Sequence, residues 1–272
     1  MNRLINHFKR YRFVLSELVK KGIKLRYRRS YLGVIWSLLE PLLNMIVLYF
    51  VFGSLLGKSS DGYGGIHFML YILSGRLIYT CFSQTTKDCT KIIKKNAALI
   101  KKVHIPKYLF PLSSIFFNYF LFLISLIVFV LMSVILIAFG LQTPFKILGI
   151  IQMIIPLINL FLLNLGASLI LATIGVFFRD IEYLWNVFTT LIFYACAIFY
   201  SIDKIVKNAP GVANLMQLNP LYCIIFNFRE CMQPAGVMSW SYVLYSFVFS
   251  MVAILIGGLL FKKNQDKFIM YI

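Results

Sequence analysis

The acidic and histidine side chains are the first candidates for chemistry, but their spacing does not form a catalytic or metal site. The chain has nine Asp and Glu residues, and Asp180 and Glu182 are the pair that stands closest to a catalytic arrangement. Residues two apart do not share a helix face, so with Arg179 they indicate a short turn. The three histidines lie in separate regions: His7, His67 and His104. We therefore predict no catalytic residue, no metal site and no enzymatic activity.

One segment resembles a phosphate-binding loop without meeting its requirements. Residues 53–59 read GSLLGKS, one residue shorter than the G-x-x-x-x-G-K-S pattern. That pattern also needs a strand before it, whereas this segment ends an apolar run. The sequence therefore predicts no nucleotide or other cofactor bound by this chain itself.

The five cysteines do not form a recognisable framework. None belongs to a C-x-x-C pair, and their odd number argues against a disulfide scaffold. Cys223 and Cys231 are close enough in sequence to pair within one loop, and the sequence leaves that question open.

Four basic side chains form a candidate anion-binding group where an N-terminal segment meets the first apolar run: Lys24, Arg26, Arg28 and Arg29. At the inner face of a membrane they would attract a negatively charged lipid head. Two readings remain open, a specific site for a negatively charged ligand and plain attraction to anionic lipids.

Arg76 is a basic residue deep in an apolar run. A charge at that depth is costly and is usually turned toward a cavity or a partner. The alternatives are a side chain that reaches back to the membrane surface and an interior ion pair, for which Glu40 is the candidate.

Aromatic side chains gather toward the ends of two apolar runs. Tyr49 and Phe52 would share a helix face at i,i+3, and Phe193 and Tyr200 would share one at i,i+7. Aromatic faces stack on sugar rings, and Tyr hydroxyls supply hydrogen bonds. The alternative is the ordinary aromatic belt at a membrane interface.

The composition identifies the elements that must position these residues as membrane helices. Hydrophobic residues make up 60% of the chain and charged residues 13%, against ~45–50% and ~25% in soluble domains. The net charge is +18, but a soluble nucleic-acid-binding domain would not contain 26 Phe and 16 Tyr among long apolar runs. We predict a membrane protein with no nucleic-acid partner.

Six apolar segments meet the requirement of about 20 residues for a transmembrane helix. They lie near residues 34–56, 66–86, 108–139, 147–178, 183–201 and 240–261. The third and fourth exceed the hydrocarbon core, so they must tilt, break or project into the cytosol. Pro111 and Pro156 are candidate kinks. The predicted fold is all-α, with six transmembrane helices in residues 31–272 and short re-entrant outer helices in 202–239.

The distribution of Lys and Arg predicts the orientation. One side carries 21 of them, in the N-terminal segment, the loop after the second span, Arg179 and the C-terminal tail. The other side carries five: Lys58, Lys146, Lys204, Lys207 and Arg229. The positive-inside rule therefore predicts that both termini are cytoplasmic.

Two cytoplasmic segments have amphipathic patterns. Residues 1–30 predict a basic amphipathic helix that lies in the membrane interface, either as a simple anchor or with a further role. Residues 87–107 combine seven basic residues with Ile92, Ile93, Leu99, Ile100 and Val103. These aliphatic side chains suggest contact with a partner protein or burial at the interface.

Three stretches together resemble one family. Residues 26–43 read RYRRSYLGVIWSLLEPLL, and residues 96–112 read NAALIKKVHIPKYLFPL. Residues 178–201 begin FRDI and end IFYS, and NPLY follows at 219–222. In this order they resemble the membrane permease subunit of bacterial ABC exporters for polysaccharides and polyol phosphates, which carry O-antigen, capsule and teichoic acid precursors.

The resemblance implies a homodimer of six-span subunits in the bacterial plasma membrane, with two cytosolic ATPase subunits that bind ATP and Mg. It implies a glycan on a polyprenyl pyrophosphate as substrate, moving along the first and fifth spans past Tyr49, Phe52, Phe193 and Tyr200. Lys24, Arg26, Arg28 and Arg29 would then be candidates to attract the pyrophosphate head. We place Arg76 of the second span in the same substrate channel. The residues implied to contact the ATPase are Asn96, Leu99, Ile100, Lys101 and Lys102. The family often has Pro where this chain has Ala197, which argues against a kink there, and it is often uncharged at the position of Arg76.

We therefore predict the permease subunit of an ATP-driven exporter of a lipid-linked polysaccharide or a teichoic-acid-type polymer. One alternative is an ABC permease for a small hydrophobic drug or lipid, which would share the topology. The other is a membrane glycosyltransferase, which would need acidic or metal-binding clusters.

Overall fold

The computed structural model describes residues 2–28, 30–55, 64–103, 105–202, 206, 209–234 and 236–271, and every regular element in them is helical. In chain order the helices are α1 Asn2–Tyr27, α2 Trp36–Tyr49, α3 Phe68–Lys95, α4 Ala97–Lys102, α5 Leu109–Ala138, α6 Ile147–Gln152, α7 Ile154–Phe177, α8 Ile181–Ala195, α9 Pro210–Gln217, α10 Pro220–Glu230, α11 Trp240–Asn264 and α12 Phe268–Tyr271. A 3₁₀ turn, Gly33–Ile35, leads into α2, a π-helical segment, Phe50–Leu55, continues it, and a second 3₁₀ turn, Gln265–Lys267, precedes α12. Arg29, Lys58, Ser59, His104, Lys204 and Lys207 lie outside the described residues.

Four helical stretches in the described residues are long and apolar enough to cross a membrane: Gly33–Gly53, Leu109–Ala138, Ile147–Phe177 and Trp240–Tyr271. They match the first, third, fourth and sixth predicted spans. The second falls in α3, which carries many polar side chains, and the fifth in α8, which has 15 residues. The chain is thus an all-helical, multi-pass membrane protein, and the count of six stays a prediction.

The two long spans differ at their prolines. Pro111 lies in the first turn of α5, where a missing N–H breaks no hydrogen bond, and α5 stays continuous over 30 residues, or about 45 Å, so the prediction of a kink there was wrong. The fourth span breaks at Met153, between α6 and α7, three residues before Pro156. Because proline cannot donate a hydrogen bond to the carbonyl of the fourth residue before it, here Gln152, this break is the interruption predicted for Pro156.

Helix α3 forms the centre of the bundle and contacts α2, α5, α7, α8 and α10. The tightest pair is α7 with α11. At Gly166 an added Cβ would lie 2.7 Å from the Cβ of Ala253, so glycine lets these two helices approach closely.

Helices α2 and α8 lie at the edge of this bundle. Only Ser37 and Met45 of α2, and Thr189 and Ile192 of α8, are buried. Each helix therefore has one face on the bundle and one apolar face that no described part of the chain covers.

The segment 202–239 does contain the short helices that its apolar pattern predicts. Helix α10 begins at Asn219-Pro220, where the Asn219 side chain accepts a hydrogen bond from the N–H of Leu221 at 3.0 Å, and most of α10 is buried. Cys223 and Cys231 are both free. Whether these helices re-enter the membrane stays a prediction.

Candidate functional site

A polar groove runs along α3 where that helix faces α2 and α8. Arg76, Thr80, Ser83 and Lys87 follow one another at intervals of three or four residues and so share one helix face. Glu40 from α2 and Thr190 and Phe193 from α8 complete a groove of about 340 Å³. The hydroxyl, amide and charged groups of this groove give hydrophilic molecules a surface to bind.

Arg76 projects into this groove. Its guanidinium carbon lies 5.2 Å from the centre of the Phe193 ring, a cation–π distance. Glu40 lines the same groove, but the ion pairs in the described part of the chain are Lys20–Glu17 and Lys91–Glu182. The sequence left open whether the Arg76 side chain faces a cavity or a partner, reaches back to the membrane surface, or pairs with Glu40. The structure supports a side chain that faces a cavity.

An aromatic cluster closes one end of the groove. Phe199 stacks on Phe52 with ring centres 4.6 Å apart, and it lies 5.8 Å from Phe193 and 5.2 Å from Tyr200. Tyr79 of α3 also contacts Phe193 at 5.0 Å. Phe52, Phe193 and Tyr200 were chosen from the sequence, and the structure brings them together around Phe199.

The helical faces predicted for these aromatics are wrong, because both helices end early. Helix α8 stops at Ala195, so Phe193 and Tyr200 are not on one face, and Ala197 adopts a φ of 47° without any proline. The sequence argued against a break at Ala197, yet the chain leaves the helix there.

Tyr49 and Phe52 diverge for the same reason. Helix α2 ends at Tyr49 and continues as a π-helical segment, whose wider turn changes the angle between successive side chains. The Tyr49 ring therefore lies 6.1 Å from His67 and 6.3 Å from Phe68, outside the aromatic cluster. The hydroxyl of Tyr200 donates to the carbonyl of Tyr194.

Of the four candidate anion-binding residues, Arg26 contacts a residue that lines the groove, Gln84. It donates to the side-chain oxygen of Gln84 at 3.3 Å, and it lines a small cavity together with Arg76 and Glu40. Lys24 and Arg28 are exposed on α1 and its end, away from that cavity. Arg29 lies outside the described residues.

The short helix α4 carries the residues chosen for ATPase contact. Its packing rests on Ile100, which is 7% exposed and lies in a cluster with Ile93, Phe110, Phe261 and Phe268. Leu99 packs partly against the same cluster, and Asn96 uses its side chain to bond the carbonyl of Ile92 at 2.8 Å. Lys101, Lys102 and Val103 are exposed. The surface that α4 offers to a partner is therefore its lysine side.

The C-terminal end of α3 is joined to the beginning of α8. Lys91 forms an ion pair with Glu182 at 2.8 Å, and burial together with the positive charge of Arg179 lowers the pKa of Lys94. The turn 178–180 therefore lies beside the end of α3. Glu182 stands in the first turn of α8, where a negative charge is favourable.

Comparison with known families identifies the class of this arrangement. Residues 14–233 match the family described as ABC-2 type transporter. The chain belongs to the ABC-2 type transporter family. The family accounts for a multi-pass membrane chain and implies an ABC ATPase as partner, and the predicted resemblance to ABC transporter membrane subunits is confirmed.

Curated relatives of this family are similar to the chain over almost its full length. An O-antigen export system permease protein RfbA of Klebsiella pneumoniae is 26% identical over 255 residues, covering 94% of this chain and 93% of the relative. One from Myxococcus xanthus is 25% identical and covers 98% of both chains. The polysialic acid transport protein KpsM of Escherichia coli is 22% identical and covers 93% of both.

The sequence analysis missed part of the site. Thr80, Ser83 and Gln84 were read simply as part of an apolar span and its end, although they follow Arg76 by four, seven and eight residues, a helical spacing that is visible in the sequence. Phe199 was not chosen from the sequence, because its place in the cluster depends on the break after Ala195.

Proposed function

We propose that this chain is the permease subunit of an ATP-driven exporter that moves a lipid-linked polysaccharide across the plasma membrane. The observation that carries the proposal is the similarity over more than nine-tenths of the chain to permeases named for O-antigen export and polysialic acid transport. A small hydrophobic drug or lipid is not favoured as substrate, because these relatives carry polysaccharides.

The groove suits such a substrate on physical grounds. A glycan has hydroxyl groups that need hydrogen-bond partners, and its sugar rings have apolar faces that stack on aromatic rings. Thr80, Ser83 and Gln84 supply hydrogen-bond partners for the hydroxyl groups, and Phe193 and Phe199 supply rings for stacking. A polyprenyl pyrophosphate head would approach from the inner leaflet along Lys24, Arg28 and Arg26, of which the last also borders the cavity of Arg76.

Energy would come from two ATPase subunits that bind ATP and Mg and dock on the cytoplasmic side. The exposed side of α4, with Lys101 and Lys102, would receive them, while Ile100 and Leu99 anchor α4 to the bundle. Motion of α4 would reach α8 through the end of α3 and the Lys91–Glu182 pair as a rigid-body shift.

The remaining features belong to the same proposal. Six spans, with α3 and α8 as the second and fifth, place both termini in the cytoplasm in agreement with the lysine and arginine bias. The uncovered apolar faces of α2 and α8 suit contact with a second copy, so that two grooves face one another. A teichoic-acid-type polymer remains within the proposed substrate class.

Removing this chain from its native cell tests the proposal. We expect the polysaccharide to disappear from the cell surface and to accumulate on the inner side, bound to its lipid, while its synthesis continues. Normal display of every surface polysaccharide in cells without the chain would refute the proposal. Export of a fluorescent lipophilic amine that depends on the chain, with unchanged polysaccharide display, would support the small-molecule alternative.

A further inference from the structure

Arg229, which the sequence analysis counted as an outer-loop cation, is 5% exposed and ties three elements together. It stands near the end of α10. One terminal nitrogen donates to the carbonyl of Ala197 at 3.0 Å, and the other donates to Tyr71 at 2.8 Å and to Ile198 at 3.1 Å. Its guanidinium carbon lies 3.5 Å from the centre of the Tyr71 ring. A buried charge with this many partners is built to hold a fixed geometry.

The acceptors of Arg229 belong to the segment where α8 breaks. Ala197 has a left-handed φ of 47°, a conformation that costs energy for a residue with a side chain. The hydroxyl of Tyr71 donates to the carbonyls of Ala197 at 3.2 Å and Tyr200 at 2.8 Å. The carbonyls of residues 197, 198 and 200 are thus all bound by Arg229 or Tyr71.

The neighbouring α3 helix leaves space for this arrangement at one residue, Gly75. An added Cβ there would lie 2.5 Å from a terminal nitrogen of Arg229. An alanine at position 75 would therefore push the guanidinium away from its carbonyl partners. Helices α3 and α10 therefore both contribute to one set of contacts, formed by Arg229, Tyr71 and Gly75 around the break, which we call the clamp.

We propose that Arg229 is a positioning residue that locks the segment 196–201 in its broken-helix conformation. That segment carries Phe199 and Tyr200, so the clamp sets the position of the aromatic cluster at the end of the groove. This role in transport rests on the function proposed above. Without the guanidinium, the carbonyls of Tyr71 and Ile198 lose its hydrogen bonds and the carbonyl of Ala197 keeps only the Tyr71 hydroxyl, so the strained backbone at Ala197 relaxes.

Two native cysteines allow a test in the full chain, assembled with its ATPase in membrane vesicles. Cys196 is fully buried beside the clamp, and Cys89 is fully buried in the bundle centre. Labelling by N-ethylmaleimide is followed at each cysteine by peptide mass spectrometry. The variants are Arg229→Gln, Arg229→Lys and Gly75→Ala, and the matched control is Gly258→Ala, where an added Cβ would meet open space.

We expect Cys196 to label at least about tenfold faster in Arg229→Gln and Gly75→Ala, because local opening becomes easier, while Cys89 stays protected. Arg229→Lys should give a smaller increase, since an ammonium cannot reproduce the fork of a guanidinium. Gly258→Ala should match the original protein. Polysaccharide export should fall in Arg229→Gln and Gly75→Ala although the ATPase stays bound.

Two results would contradict the proposal that Arg229 locks the segment 196–201. The first is a protected Cys196 in both Arg229→Gln and Gly75→Ala. The second is equal exposure of Cys89 and Cys196, which would show that Arg229 supports the whole bundle and not this segment. If the original protein exports no polysaccharide, the proposed function fails, but the labelling pattern still decides whether the clamp exists.

Discussion

Phe199 and Tyr49 both lie in the aromatic-rich stretches, but they differ in their contacts. Phe199 contacts Phe52, Phe193 and Tyr200, whereas Tyr49 packs near His67 and Phe68. An aromatic belt at a membrane interface would make the two residues equivalent. A cluster that stacks on sugar rings would instead make Phe199 more important than Tyr49 for export.

Replacing Phe199 should therefore impair export more than replacing Tyr49. We expect Phe199→Ala to slow polysaccharide export several-fold, because a stacking face is lost, and Tyr49→Ala to have a smaller effect. Export is measured as polysaccharide reaching the cell surface, normalised to permease in the membrane. The control is Phe139→Ala, since Phe139 is 77% exposed outside the cluster. Equal losses for Phe199→Ala and Phe139→Ala would argue against stacking.

Arg76 provides the second prediction for a single residue. Its positive charge lies in the groove beside Phe193, where it can bind hydroxyl or phosphate groups of a passing substrate. We expect Arg76→Gln to lower the export rate at least about tenfold, equivalent to about 1.4 kcal/mol, with little change in membrane insertion.

The matched control is Lys262→Gln, because Lys262 is an exposed cation near the end of α11, outside the groove. Both variants are compared for export and for the amount of permease bound to the ATPase. Unchanged export in Arg76→Gln would remove this residue from the proposed path.

Among the elements, the connection between α3 and α8 carries the proposed coupling. The Lys91–Glu182 pair is partly exposed, and such pairs contribute less than about 1 kcal/mol to stability. Its loss should therefore affect transmission of movement more than folding.

Reversal of charge tests this connection. We expect Lys91→Glu and Glu182→Lys each to reduce the polysaccharide exported per ATP hydrolysed, and the double variant, which restores an opposite-charge pair, to recover much of it. The melting temperature should change little in all three. If the double variant is no better than either single variant, the pair does not transmit the movement.

In helix α4, Ile100 anchors the helix to the bundle, whereas Lys101 and Lys102 are the residues proposed to contact the ATPase. Ile100→Asp should destabilise the protein by about 3 kcal/mol or more, since it buries a charge in an apolar cluster. A double change of Lys101 and Lys102 to Glu should leave the melting temperature unchanged and weaken binding of the ATPase, measured by copurification. Stable folding of Ile100→Asp, or full ATPase binding by the double lysine variant, would contradict this division.

The sequence predicts the elements better than their contacts. The helical class, four of the spans and the short outer helices follow from apolar period and length. The break after Ala195 does not, because it is imposed by Arg229 and Tyr71, which are distant in sequence. The burial of Ile100 also depends on distant residues, since Phe261 and Phe268 come from the end of the chain. Phe199 could not be chosen without the break that orients it.

At the scale of the whole molecule, the chain combines a tightly packed half with two loosely attached helices. The α7–α11 pair packs closely at Gly166, whereas α2 and α8 expose apolar faces beside the groove. A rigid half and movable edge helices suit a transporter whose path opens between copies. The proposed homodimer, driven by separate ATPase subunits, requires such an arrangement.

Transport in inverted membrane vesicles tests the central claim most directly. The vesicles contain this chain with its ATPase and a polyprenyl-pyrophosphate-linked polysaccharide on their outer surface. On addition of ATP and Mg, we expect the polysaccharide to become protected from an added glycosidase, and to stay exposed when ATP cannot be hydrolysed. A polysaccharide that remains fully digestible while the complex hydrolyses ATP would contradict the claim that this chain is its path.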